Sequence, residues 1–255
     1  MTDLQKAGLW KRVSAALFDF IMLAIVVVGA ATGLSAILGY DGYLDTMSTT
    51  HERYAIEYNV TATAEELEAM TETELAEYEA RVDAAEKALS EDVEFVRAWN
   101  MVIHMSLLIA TFAVLFGVVL MELVAPLMLG NGQTLGKKIF GVALMRVDGV
   151  KVTTLQMFVR SILGKFAVEL MIPIFLFINL YFNGYINILG IAVLLLLLIA
   201  QIVCLVKTGT GSLLHDVMSG TVAVDLASQM IFETKEEQLE YIRKLHAQEA
   251  ADAAY

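Results

Sequence analysis

Three charged residues stand in an otherwise apolar setting with the types and placement to do chemistry. Arg12 and Asp19 are seven residues apart at the start of a long apolar run, and Asp216 lies in Leu214-His-Asp-Val-Met-Ser-Gly-Thr221. Seven residues turn a helix through about 700°, so Arg12 and Asp19 share a face while ~10 Å of rise separates them. Neither can satisfy the other directly. Each needs a partner from another segment, and Asp216 is the expected partner of Arg12, since arginine–carboxylate pairs are charge-assisted and can be bidentate. Asp19 is the only ionisable side chain between residues 13 and 38. A carboxyl in such a span costs roughly 2.5–3.5 kcal/mol on insertion scales, and intramembrane carboxylates mark ion and proton pathways. A single carboxylate that takes either a proton or a monovalent cation is enough for exchange. The competing reading is structural: Arg12 reaches for the interface, and a hydrogen-bonded Asp19 fixes helix packing.

Glu122, Glu169 and His215 are secondary ion or transport candidates. The two glutamates fall near the cytoplasmic ends of apolar runs, and His215 adjoins Asp216. Lys137 and Lys138 close the run Gly132-Gln-Thr-Leu-Gly-Lys-Lys138. This run departs from the phosphate-loop pattern, because Lys138 stands where Ser or Thr is required. Gly132 and Gly136 suit a tight re-entry at the membrane, and the two lysines suit anionic headgroups, at about 1 kcal/mol per charge. The single cysteine, Cys204, is isolated, and no His, Cys and carboxylate spacing suggests a metal centre. No nucleophile–base constellation and no nucleotide fingerprint is present, so neither enzyme activity nor a cofactor is expected, and nucleic acid is not an expected partner.

The elements that must position these residues are membrane spans. The chain is 58% hydrophobic over 255 residues, with a mean hydropathy of +0.65. Four apolar runs, near 13–38, 101–129, 166–182 and 186–206, approach or exceed the ~20 residues that cross a bilayer. The first carries Gly29-Ala-Ala-Thr-Gly33, a small-residue stripe of the kind that lets helices approach closely, within one chain or in a dimer. The net charge of −12 belongs to one insert: residues 39–98 hold sixteen acidic against four basic side chains. Thr63 with Glu66, and Thr71 with Glu74, read as capping boxes there. Leu75, Tyr78, Val82, Ala85, Leu89 and Val96 then recur at helical spacing. Asp148-Gly149 suggests a hairpin within 141–152. Leu155, Phe158, Val159, Ile162 and Leu163 line one face of a helix suited to the interface, with Arg160 and Lys165 elsewhere around it. A short helix through His215 and Asp216 and a strand at 221–225 should follow. Thr234 with Glu237 opens a polar helical tail.

Several of these features, in this order, resemble the RDD family of bacterial membrane proteins. The family's arginine and first aspartate match Arg12 and Asp19, and its second aspartate matches Asp216. The run from Gly132 to Lys137, the Asp148-Gly149 turn and Arg160 resemble the family's middle signature. The insert and the tail fall outside the resemblance, which implies a membrane fold and, as an expected activity, transport that includes cation/proton exchange.

The expected architecture is an all-α integral membrane protein of four transmembrane helices, with a cytoplasmic interfacial helix and small β-hairpin and an extracellular acidic helical insert. Residues 1–38 form the tail and first span, 39–98 the insert, and 99–129 the second span. Residues 130–165 form the cytoplasmic hairpin and amphipathic helix, 166–206 the third and fourth spans, 207–232 the His-Asp segment and strand, and 233–255 the tail. Basic residues crowd residues 1–12 and 130–165 but are missing from 179–185, which places both termini in the cytoplasm of a multi-pass cell-membrane protein. The expected partners are the lipid bilayer, monovalent cations and protons, and a second copy in a dimer. The leading function is a small secondary transporter in which Asp19 exchanges a monovalent cation for a proton and Arg12 and Asp216 form a cytoplasmic latch. The alternative is a non-transporting scaffold whose charged residues are structural.

Overall fold

The computed structural model describes residues 4–171 and 188–252. The chain is mostly helical and divides into two compact units, one of Met1–Ala30 with Ala113–Tyr255 and one of Ala31–Phe112.

Helix α1 (Leu9–Leu38), whose residues up to Ala30 belong to the first unit, has Ala15 and Asp19 as its buried residues among those described, whereas Leu17, Phe20, Ile25 and Val28 are each more than half exposed. Water would favour the opposite pattern. An apolar surface around a buried acid is what a bilayer requires. A second long helical stretch, Val93–Leu129, comprises α5 (Val93–Val118), a π-helical segment (Val119–Val124) and α6 (Ala125–Leu129). It and α1 are both long and apolar enough to cross a membrane. They meet closely at Gly117, where a Cβ would stand 2.8 Å from Val27 and 2.9 Å from Leu23. The π-helical segment precedes Pro126, which has no N–H to offer the carbonyl four residues back. That carbonyl belongs to Glu122, and the Ser161 hydroxyl donates to it at 2.6 Å.

The chain then folds back through α7 (Leu135–Ile139) to β1 (Val142–Arg146). The expected hairpin around Asp148-Gly149 reduces to a single bridge, Met145 with Lys151. The full antiparallel partner of β1 is β2 (Thr221–Asp225), in the register Val142 with Asp225 to Arg146 with Thr221. The N-terminal segment joins this sheet: Ala7 N–H donates to Ala223 at 3.3 Å, and Asp225 N–H donates to Gln5 at 3.0 Å. The core beneath is Ala7, Val142, Leu144, Met157 and Ala223.

Helix α8 (Thr154–Phe158) runs into a second π-helical segment, Val159–Glu169. Leu155, Phe158 and Leu163 face outward, as the interfacial reading expects, while Met157, Arg160, Ser161 and Gly164 face inward. The third expected span falls largely on residues 172–182, and its Pro173, like the Asn183-Gly184 turn, lies outside the described residues. The run expected as the fourth folds as the helix α9 (Ile188–Lys207). Helix α10 (Leu214–Ser219) ends at Gly220, whose φ of 65° turns the chain into β2. The tail is α11 (Lys235–Asp252), with Thr234 capping Glu237 N–H at 3.2 Å.

The second unit holds most of the insert. Both expected capping boxes form, opening α3 (Ala64–Ala69) and α4 (Glu72–Glu91). Helix α2 (Tyr40–Glu57) follows Gly39, which has a φ of 65°. Tyr78, Val82, Ala85 and Leu89 of α4 face His51, Tyr54 and Ala55 of α2 across a recess of about 240 Å³. Asp92 ties the ends together, accepting from Arg53 at 2.9 Å, Tyr54 at 3.0 Å and the N–H groups of Glu94 and Phe95 at 2.9 Å each.

Candidate functional site

The buried charges of the first unit converge on one cavity of about 340 Å³, bounded by α1, the two π-helical segments, α7 and α10. Four basic side chains (Arg12, Lys137, Arg160 and Lys165) and four acidic ones (Asp19, Glu122, Glu169 and Asp216) line it, so its charged wall sums to zero with His215 neutral. Leu23, Val118 and Leu170 supply an apolar side.

On one side of the cavity Asp19 meets the loop before α7. Gly130, Asn131 and Gly132 take positive φ values of 77°, 49° and 59°, and Gln133 pins the turn by donating to Val142 at 2.8 Å. Thr134 is the N-cap of α7, and its hydroxyl donates a very short hydrogen bond to one Asp19 oxygen. Gly136 N–H donates to the other at 2.7 Å. A Cβ on Gly136 would clash with the Ala15 carbonyl oxygen, so only glycine permits this approach. Lys137 reaches back toward the same acid, its Nζ 3.1 Å from Thr134 Oγ1 and 3.8 Å from Asp19 Oδ2. The run from Gly132 to Lys138 thus cradles the chain's own carboxyl group, with an orphan helix N–H and a cap hydroxyl as its donors. Burial is the main force that brings the Lys137 ammonium down to about 8, with Glu122 and Asp19 opposing it and Lys165 and Arg160 assisting. Of the two expected headgroup lysines, only Lys138 is exposed; Lys137 points inward.

On the other side Arg160 is the hub. Its Nε donates to Asp216 Oδ1 at 2.9 Å, and its Nη2 meets His215 Nε2 at 2.9 Å. Arginine donates only, so His215 Nε2 accepts. The ring is therefore neutral, with its proton on Nδ1 donated to Glu169 Oε1 at 2.7 Å. Glu169 Oε1 also accepts the His215 backbone N–H at 3.0 Å. The close approach of α10 to the π-helical segment again requires glycine, as a Cβ on Gly164 would lie 2.8 Å from that of His215. Burial would raise the Asp216 carboxyl, but the Arg160 guanidinium outweighs it and holds the group well below the usual carboxylate range. Burial and then Arg160 push the His215 imidazole down, against the pull of Glu169.

Glu122 links the two sides. Lys165 Nζ lies 2.6 Å from its Oε1. Its Oε2 faces Arg160 Nη1 across 3.9 Å, and both atoms are buried without a hydrogen-bond partner among the described residues.

All six ion or transport candidates read from the sequence line this cavity. The expected pairing within them is corrected: Asp216 takes Arg160, not Arg12, because the second π-helical segment turns Arg160 inward beside α10. Arg12 lines the cavity near Gly211 and forms no ion pair among the described residues. The sequence reading missed Arg160, Thr134 and Gly136 as the groups that satisfy Asp216 and Asp19. The signal for Arg160 was its place opposite the apolar face of its helix. No group of three or more metal-ligating side chains occurs among the described residues.

The RDD family model matches residues 6–220. No curated protein and no solved structure matches the chain. The match extends from the N-terminal segment that pairs with β2, through Asp19, the acid-binding loop and Arg160, to Gly220 just beyond Asp216, and so covers every charged group of the cavity: the chain belongs to the RDD family.

Proposed function

We propose that this protein is a four-span transporter of the cell membrane, with both termini cytoplasmic, that exchanges a monovalent cation for a proton. The observation that carries the reading is the charge balance of the cavity wall, four acids against four bases. A neutral wall tolerates one added positive charge far better than two. At a separation of about 6 Å and an effective dielectric near 20, the second would be opposed by about 3 kcal/mol. A proton and a cation would therefore exclude one another without sharing a ligand, and Asp19 and Glu122 offer the carboxylate oxygens. The pairing of the N-terminal segment with β2 supports a common side for the two ends of the first unit. The Gly29-Ala-Ala-Thr-Gly33 run is a small-residue stripe of the kind on which a second copy can pack.

The test uses proteoliposomes with an acidic lumen, to which sodium, potassium or lithium is added while internal pH is followed. Cation-dependent alkalinisation is expected from the wild type and not from Asp19→Asn. Silence toward all three cations from a folded, inserted protein would remove exchange. One observation favours the scaffold reading instead: both Asp19 oxygens are already held by Thr134 and Gly136. In that case Asp19→Asn lowers stability and there is no flux to lose.

A further inference from the structure

We propose that His215 is the group in the cavity that accepts the proton, and that its protonation moves Arg160 from His215 to Glu122. The inference deepens the exchange reading and rests on it only for the link to transport.

His215 Nε2 accepts from Arg160 Nη2 at 2.9 Å, and a donor-only guanidinium cannot tolerate a proton on that nitrogen. Protonation therefore breaks this contact. The new N–H has an acceptor close by, since Asp216 Oδ2 lies 3.6 Å from Nε2. The displaced guanidinium also has a destination. Its Nη1 and Glu122 Oε2, 3.9 Å apart, are both buried and both unpartnered in the neutral state. Turning Arg160 toward Glu122 satisfies the two orphans together. Buried polar atoms without partners are costly, so the neutral arrangement holds in reserve the contact that the protonated one makes.

The charged groups facing the ring among the described residues come from three elements of the cavity wall. Glu169, Arg160 and Lys165 lie on the π-helical segment, Asp216 on α10 itself, and Arg12 of α1 lines the same cavity. Glu169 stabilises the protonated ring through Nδ1, whereas Arg160 opposes it and must yield. Proton uptake is thereby read out as a change at Glu122, on a different helix, with no bond made or broken beyond the proton's own.

His51, His104 and His246 are all exposed, so replacing each with Gln leaves His215 as the sole imidazole without disturbing the cavity. In that variant, ¹⁵N-histidine NMR of the purified protein between about pH 5 and 8 reads the ring directly. The expected result is a neutral Nδ1–H tautomer at high pH that converts to imidazolium on acidification. Adding Glu122→Gln is expected to move the midpoint to lower pH, because the displaced Arg160 then has no carboxylate to meet. A ring that stays neutral throughout, a neutral ring protonated on Nε2, or a midpoint indifferent to Glu122→Gln each overturns the proposal. In liposomes, His215→Gln is expected to keep tracer cation/cation counterflow at a rate independent of pH while losing cation-driven proton movement. Coupled proton movement retained by His215→Gln overturns the proposal and leaves exchange standing. A wild type without any flux ends the exchange reading, and the NMR titration still decides the switch.

Discussion

Arg160 is 3% exposed and Asp216 2%, so neither charge has water to fall back on. Losing one partner from such a pair typically costs about 3–5 kcal/mol, because the other is left buried and uncompensated. Arg160→Met is expected to destabilise the chain by that amount in denaturant titrations in micelles, and a loss below about 1 kcal/mol would mean that water reaches Asp216. The pH dependence follows from the same groups. His215 has a folded value below its unfolded one, so the unfolded chain takes up the proton first as pH falls below about 6.5, and stability declines from there downward. Asp216, also depressed, contributes stability that is fully present above about 3.8 and is lost below it. Lys137 acts at the other end. Between its folded value of about 8 and the ordinary 10.5, the unfolded chain holds more protons, so stability rises with pH. Melting followed from about pH 7 to 5 is therefore expected to fall in the wild type and to flatten in His215→Gln. At this scale the sequence announced which acids are buried, because an acid in an apolar run has nowhere else to go. It did not announce their partners. Arg12 and Arg160 are equally basic on paper, and only the inward turn of a π-helical segment decides between them.

Elements are held together here by absences of side chain. At Gly136 the obstacle to a methyl group is the Ala15 carbonyl oxygen, which no rotamer change removes. Gly136→Ala is expected to cost about 1–3 kcal/mol or more as α7 is forced off α1. Gly209→Ala, with nothing within 4 Å, serves as the near-neutral control in the same thermal assay. Ser161→Ala is expected to cost about 1 kcal/mol, since it removes the donor that serves the Glu122 carbonyl beside Pro126. Element types were legible wherever a local rule suffices. The capping boxes at Thr63 and Thr71 and the strand at 221–225 stand where their residues point. The hairpin was not legible in full, because β1 finds a longer partner in β2, a strand more than seventy residues away. Helix α2 carries no strong periodic signal, and it gains its order from α4 and Asp92 instead.

For the molecule as a whole, the two units make different demands on the solvent. The unit Ala31–Phe112 contains a conventional amphipathic pair, α2 on α4, and most of the chain's negative charge. Val82→Asp is expected to open that pair to protease and leave the cavity unit's pH response unchanged; a shift in that response would show that the units are coupled. The cavity unit is inverted, polar within and apolar without, and this inversion made membrane placement readable from composition alone. Its sheet also imposes an order in time. Gln5 and Ala7 are made long before Asp225 and Ala223, with which they pair, and Lys11 meets Asp225 at 2.6 Å. Asp19 waits for Thr134, and Arg160 waits for Asp216. During synthesis Asp19 therefore stays unpaired until α7 is made and Arg160 until α10 is made, so a chain interrupted before residue 214 satisfies Asp19 but never forms the Arg160–Asp216 pair. Such a fragment keeps the Arg160 guanidinium without Asp216 and Glu169 without His215, a chemical difference between an unfinished copy and a finished one.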